Sequence, residues 1–148
     1  MISSVSIIDL TGEIILMRAF RRDFDQVALD NYRISVISAH EVNSPIELVN
    51  GTSFLNYFQD EVYYVASTRQ NTSAGTIFSF LSKLPSLFKT VLNMDNTHPA
   101  AIKAKAPEIL EILDEIVQVG YIQNTDIDSV RLLTHRKANT QAEQTSHV

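Results

Sequence analysis

The chain contains no cysteine and no tryptophan, and only four glycines and four prolines among 148 residues. Without cysteine there is neither a disulfide scaffold nor a thiolate metal site. The glycines are isolated from one another, so no Gly-rich phosphate-binding loop is present. Positive charge does not dominate. Twelve Lys and Arg stand against seventeen Asp and Glu, for a net charge of −5. That balance argues against general nucleic-acid binding, which leaves a basic footprint. No apolar run approaches the roughly 20 residues that a membrane-spanning helix needs. The first seventeen residues are apolar, but they carry no positive start, and Asp9 and Glu13 interrupt them. They read as strands and not as a signal peptide. The expectation is a soluble cytosolic protein, in which the Asn-x-Ser/Thr sequences at Asn50 and Asn71 arise by chance.

An apolar fraction of 45% and a charged fraction of 20% are ordinary for one globular domain with a real core. Ile2 to Leu10 and Glu13 to Phe20 are β-rich and meet at Thr11-Gly12, which predicts a hairpin. Asp23 is placed to cap a helix over Phe24 to Ala39. Ile46 to Val49 predicts a short strand entered through Pro45, as befits a sheet edge. Ser53 to Phe58 and Val62 to Thr68 form a second hairpin around Gln59-Asp60-Glu61. A helix follows from about Thr72 to Leu92, capped within Asn71-Thr72-Ser73, and Pro85 should bend or break it near Leu81. Pro99 opens a helical turn, and Pro107 suits the start of a long helix that runs through Val119 and stops at Gly120. Asp126 to Leu133 reads as a last short helix, and Arg136 to Val148 as a polar linker. The order is β-β-α-β-β-β-α-α, an antiparallel sheet with the first helix on one face and the last two on the other.

The residues offer little chemistry. His40, His98, His135 and His147 lie far apart and lack ligand spacing. No serine stands in a nucleophile elbow. Asp126 and Asp128 read better as carboxylates favoured by a helix dipole than as a metal pair. Glu108, Glu111, Asp114 and Glu115 share a helix face, which is more often a solvated stripe than an acid/base pair. No catalytic residue, metal or cofactor is expected. Arg21-Arg22 and the group Arg131, Arg136 and Lys137 are small basic clusters able to touch anionic headgroups, although isolated solvent charges are the commoner case.

Apolar surface is the better clue. The helices over Thr72–Leu92 and Glu108–Val119 are each apolar around roughly half a wheel, against the roughly 100° that a core-facing stripe needs. Those two helices and the sheet can absorb much of one another's excess. The first helix is different. Phe24, Ala28, Tyr32, Val36 and Ala39 form one stripe, while Val27, Ile34 and Ile37, flanked by Asp30 and Arg33, form another on a different side. Nothing in this topology covers the second stripe, so Val27, Asp30, Ile34 and Ile37 are the expected partner interface.

The segments Thr11-Gly12-Glu13-Ile14, Ser44-Pro45, Gly51-Thr52-Ser53-Phe54 and Thr68-Arg69-Gln70-Asn71, followed by Ile77-Phe78-Ser79-Phe80-Leu81, have a familiar order and spacing. With Glu111-Ile112-Leu113-Asp114-Glu115-Ile116, Gly120-Tyr121 and Gln123-Asn124, the chain resembles the N-terminal longin-type domain of the medium (mu) subunit of clathrin adaptor complexes. Thr52-Ser53-Phe54, Arg69-Gln70-Asn71 and Gly120-Tyr121-Ile122-Gln123 favour the medium over the small subunit, which shares the fold. Gln70-Asn71, Ser44-Pro45 and Gln123-Asn124 look closest to the plasma-membrane endocytic form. Pro85 and Pro107 interrupt helices that are usually smoother, and Ile122 stands where a proline is typical.

The resemblance implies a longin fold over residues 1–135, with a five-stranded antiparallel sheet between one helix and two. It implies an assembly role inside a heterotetramer, docked on a large beta-type subunit beside the small and second large subunits. Clathrin, cargo and the coated membrane would be met indirectly. Residues 136–148 would lead to an absent C-terminal cargo domain, and the family's regulatory phosphothreonine makes Thr140 and Thr145 candidates by location. The alternative is a longin-type subunit of another trafficking assembly, such as a SNARE regulatory domain or a tethering subunit.

Overall fold

In the computed structural model, which describes residues 1–42, 44–70 and 72–123, a twisted antiparallel sheet separates two hydrophobic layers. Strands β1 (Ser4–Asp9) and β2 (Ile14–Ala19) form the first hairpin. Gly12 turns it with φ +90°, and a side chain there would press on the Arg33 carbonyl. After helix α1 (Gln26–Tyr32) come β3 (Ile46–Val49), β4 (Thr52–Gln59) and β5 (Val62–Thr68). The spatial order is β2-β1-β5-β4-β3, every neighbouring pair being antiparallel. The chain thus returns β5 to the centre beside β1, leaving β2 and β3 as edges. Both faces of β5 are covered, as its two interleaved apolar sets require. Tyr64 and Ala66 face one layer, and Val65 faces the other.

One layer is α1 and its continuation. Ala28, Leu29, Tyr32, Val36 and Ile37 pack on Ile8, Phe54 and Val65. The other layer holds α2 (Ala74–Val91), α3 (Pro99–Ala104) and α4 (Ala106–Ile116). Helix α2 lies over β4 and β5, whereas α3 and α4 lie over β2. The half-apolar wheels are spent inside the fold: Ile77, Leu81, Leu84 and Phe88 of α2 join Ile109, Ile112, Leu113 and Ile116 of α4 in one cluster.

Several expectations are corrected. The cap of α1 is Asp25, whose carboxylate accepts from the amides of Val27 and Ala28. Asp23 instead accepts from the Ser3 hydroxyl at 2.7 Å. Helix α2 runs unbroken across Pro85. A proline in a helix forfeits one backbone bond, but Pro85 and its neighbours Leu84, Leu87 and Phe88 are all buried, and that packing holds the turn. Ser73 does cap α2, accepting from the Thr76 amide.

The largest correction concerns the end of α4. Helix stops at Ile116, and Val117–Gln118 (β6) pairs with Tyr121–Ile122 (β7). Gly120 is therefore not a helix cap. Val119 (φ +52°) and Gly120 (φ +86°) are the two central residues of a hairpin turn. Positive φ at both positions is what a two-residue hairpin of this hand needs. The β-branched Val117 and Val119 resist helix, and Val117 joins the core through β6. The Gly120 carbonyl accepts from the Ile2 amide at 2.7 Å, so the hairpin is clasped to the start of the chain.

Candidate partner interface

From Arg33 to Ser38 the first helix changes from α to π geometry. A π-turn closes i→i+5, and the Glu41 amide bonds the Val36 carbonyl at 2.8 Å in that manner. More residues per turn means less rotation per residue, roughly 80° in place of 100°. Over the six residues Arg33–Ser38 the phase shift is large enough to move a side chain from one face to another.

That shift decides which predicted interface residues reach solvent. Val27 is 62% exposed and Ile34 is 55% exposed, two turns apart on the outer side. Asp30 lies between them in sequence, half-buried, and accepts from Arg33 Nε at 2.9 Å and from Gln26 Nε2 at 3.2 Å. Its charge is already compensated, which lowers the cost of drying it in an interface. Arg33 also reaches the Gly12 carbonyl at 3.5 Å and ties this strip to the first hairpin. Ile37 departs from the expectation. It is 1% exposed and packs in the core with Leu29 and Val36. A uniform 100° wheel puts it about 60° from Ile34 and about 80° from Val27, at the margin of the outer strip, but the π segment turns it inward.

Beneath the strip the layer is firm. The Tyr32 ring stacks on Phe54 at 4.6 Å with 6° between planes. Its hydroxyl accepts from Asn56 Nδ2 at 3.1 Å. Burial pushes the Tyr32 phenol up to about 12 against the opposing bond from Asn56, so the ring stays neutral and serves packing. The outer strip therefore rests on a packed, hydrogen-bonded base.

Sequence reasoning missed the β3 edge. Leu48 is 72% exposed and Ile46 is also exposed, opposite Ser53 and Leu55 on the face that α2 covers elsewhere. Val49 points the other way, into the α1 layer. The sequence signal is weak: a four-residue edge strand carries two apolar residues of one parity, too few to show which of its faces is covered.

Among the described residues there is no group of three His, Asp or Glu able to hold a metal ion. His40 and His98 are exposed and separate. An open groove of about 470 Å³ along α2 gathers Ser73, Thr76, Ser79 and Lys83 without a carboxylate. Of the acidic face of α4, Asp114 pairs with Arg18 of β2 at 3.0 Å. No described helix is long and apolar enough to cross a membrane. The expected helix at 126–133, the linker at 136–148, Thr140, Thr145, His135 and His147 lie outside the described residues.

No protein-family model matches the chain. It is 33% identical over 132 residues to the AP-2 complex subunit mu of Dictyostelium discoideum, which covers 89% of this chain and 30% of the relative. It is 35% identical over 130 residues to the AP-2 complex subunit mu of Caenorhabditis elegans, covering 85% of this chain and 28% of the relative. The chain thus spans somewhat under a third of the length of these relatives. Its fold matches a chain in a homology model of the full-length AP-3 complex in a stretched open conformation, with a TM-score of 0.66 and 14% identity. That match covers 99% of this chain and 98% of the other.

Proposed function

Because the chain belongs, as a longin-type domain, with the mu subunits of AP-2 adaptor complexes, we propose that it is an assembly module of a heterotetrameric clathrin adaptor acting in vesicle-mediated transport. It docks on a large beta-type subunit through the outer strip of α1 and its π continuation, and carries out no catalysis. The observation that supports this reading is the exposure of Val27, on α1, and Ile34, on its π continuation, two turns apart on the outer side. Two large aliphatic side chains at that spacing, with the intervening carboxylate neutralised, form the dry centre that a protein partner fills. Exposed Leu48 and Ile46 offer a second apolar margin along β3. Endocytosis at plasma-membrane coated pits follows from the AP-2 likeness, with clathrin, cargo and membrane reached through the assembled complex. The small and second large subunits complete the assembly.

The structural relative is matched almost end to end, so the same fold also serves as a chain of this size. The identity to mu subunits over 132 residues favours the mu assignment over a small subunit or another trafficking longin. An interface between obligate partners buries roughly 2,000 Å² or more. The chain produced alone should therefore self-associate, and co-expression with a beta-type trunk should yield a soluble one-to-one complex. If the chain is monodisperse alone and ignores the trunk, the assembly reading fails.

A further inference from the structure

The β6–β7 turn and the Arg21-Arg22 pair, nearly a hundred residues apart in sequence, meet at one place. Arg21 Nη1 donates to the Val119 carbonyl at 3.0 Å. Around them an open groove of about 550 Å³ is lined by Phe20, Arg21, Arg22, Gln70 and Val119. Asp23 also lines it, but its carboxylate is engaged by the Ser3 hydroxyl at 2.7 Å and faces Arg21 Nε at 3.9 Å. Arg22 is exposed and has no ion pair with a described residue. A local positive excess of this kind stands out in a chain of net charge −5.

Beside these cations the fold exposes apolar surface at a cost. Val119 is 68% exposed and Tyr121 is 56% exposed. Val119 also holds φ +52°, a conformation that a β-branched residue adopts only under strain. Asparagine is the comfortable residue at this turn position. Valine both strains the backbone and wets a hydrophobic side chain, so the turn itself gives no reason for it.

We propose that the β6–β7 tip and the adjoining arginine groove form a contact surface for an anionic lipid bilayer. Arg22 and Arg21 meet headgroup phosphates, while Val119 and Tyr121 enter the interfacial layer, where tyrosine is at home. Cations beside exposed apolar side chains fit a charged bilayer better than a free anion, which would use the arginines and leave Val119 and Tyr121 wet. The surface is independent of the α1 strip, and its test does not require that strip to bind anything.

Flotation of the 148-residue chain with phosphatidylcholine vesicles, with and without phosphatidylserine, tests the idea. Binding should require phosphatidylserine, and Arg22→Glu should weaken it by roughly fivefold or more, since each cation near the surface contributes about a fivefold factor. Val119→Asn should weaken binding severalfold while unfolding at the same or a higher temperature, because asparagine relieves the turn. Equal binding to both vesicle types overturns the proposal, as does full binding by Val119→Asn. Inorganic phosphate that displaces the vesicles at matched ionic strength would assign the groove to a free anion. Val119→Asn that abolishes capture of an adaptor subunit while leaving vesicle binding intact would assign the tip to a protein partner.

Discussion

At the scale of single residues the fold depends on a few positions with no substitute. Gly120 holds φ +86°, and a Cβ there would lie 2.6 Å from the Ile2 carbonyl and 2.7 Å from Arg21 Cδ. Gly120→Ala should destabilise the domain by more than about 1 kcal/mol, the usual cost of alanine at positive φ, as urea denaturation would show. Asp60 ties the β4–β5 turn to the loop before α3, its carboxylate accepting from the Thr97 hydroxyl at 2.7 Å. That bond, foremost among the causes, holds the Asp60 carboxyl below the ordinary value of 3.8. A depressed carboxyl contributes stability above its unfolded pKa, and the contribution is lost as pH falls through the folded pKa. Thr97→Val should therefore lower the denaturation midpoint at neutral pH. The gap from the parent should narrow below about pH 4, where the unfolded carboxylate begins to protonate. A gap that stays constant with pH would separate the loss from Asp60.

At the scale of elements, three local contests went to tertiary packing. Pro85 sits inside α2 with its ring buried. An interior proline costs roughly 3 kcal/mol, and replacing it by alanine removes two buried carbons at about 0.8 kcal/mol each. Pro85→Ala should thus stabilise the domain by about 1 kcal/mol, read as a raised urea midpoint. After α1 the π segment Arg33–Ser38 turns Ile37 inward. A polar residue at Ile37 should unfold the domain, whereas one at Ile34 should change stability by no more than about 0.5 kcal/mol, the range for surface positions. Beyond α4, Gly120 is equally suited to a helix cap and a hairpin turn. The turn formed because Val117 gains core contacts as a strand and the Gly120 carbonyl gains the Ile2 amide.

At the scale of the molecule, the layered order was legible because each hairpin announced itself. Thr11-Gly12 and Gln59-Asp60-Glu61 punctuate β-rich runs, and two half-apolar helices require a shared face. The five-strand sheet with one helix layer on one side and two or more helices on the other follows from those signals. The exposure of the candidate interface residues was legible only in part. Val27 and Ile34 lie outward as the periodicity predicts. Ile37 does not, because a periodicity of 100° per residue assumes α geometry throughout and the π segment has no sequence mark of its own. Leu48 and Ile46 were overlooked because a four-residue strand has too few residues to show which of its faces is covered.

The central claim is that the outer strip of α1 docks the domain on a large subunit. The direct measurement is co-purification of the Val27→Asp, Ile34→Asp double variant with a co-expressed beta-type trunk, alongside the parent chain. Circular dichroism and the urea midpoint of the variant would establish that it is folded. The account predicts that the parent emerges with the trunk in equal amounts and that the folded double variant emerges without it. A folded double variant that still co-purifies at parent levels would contradict the account.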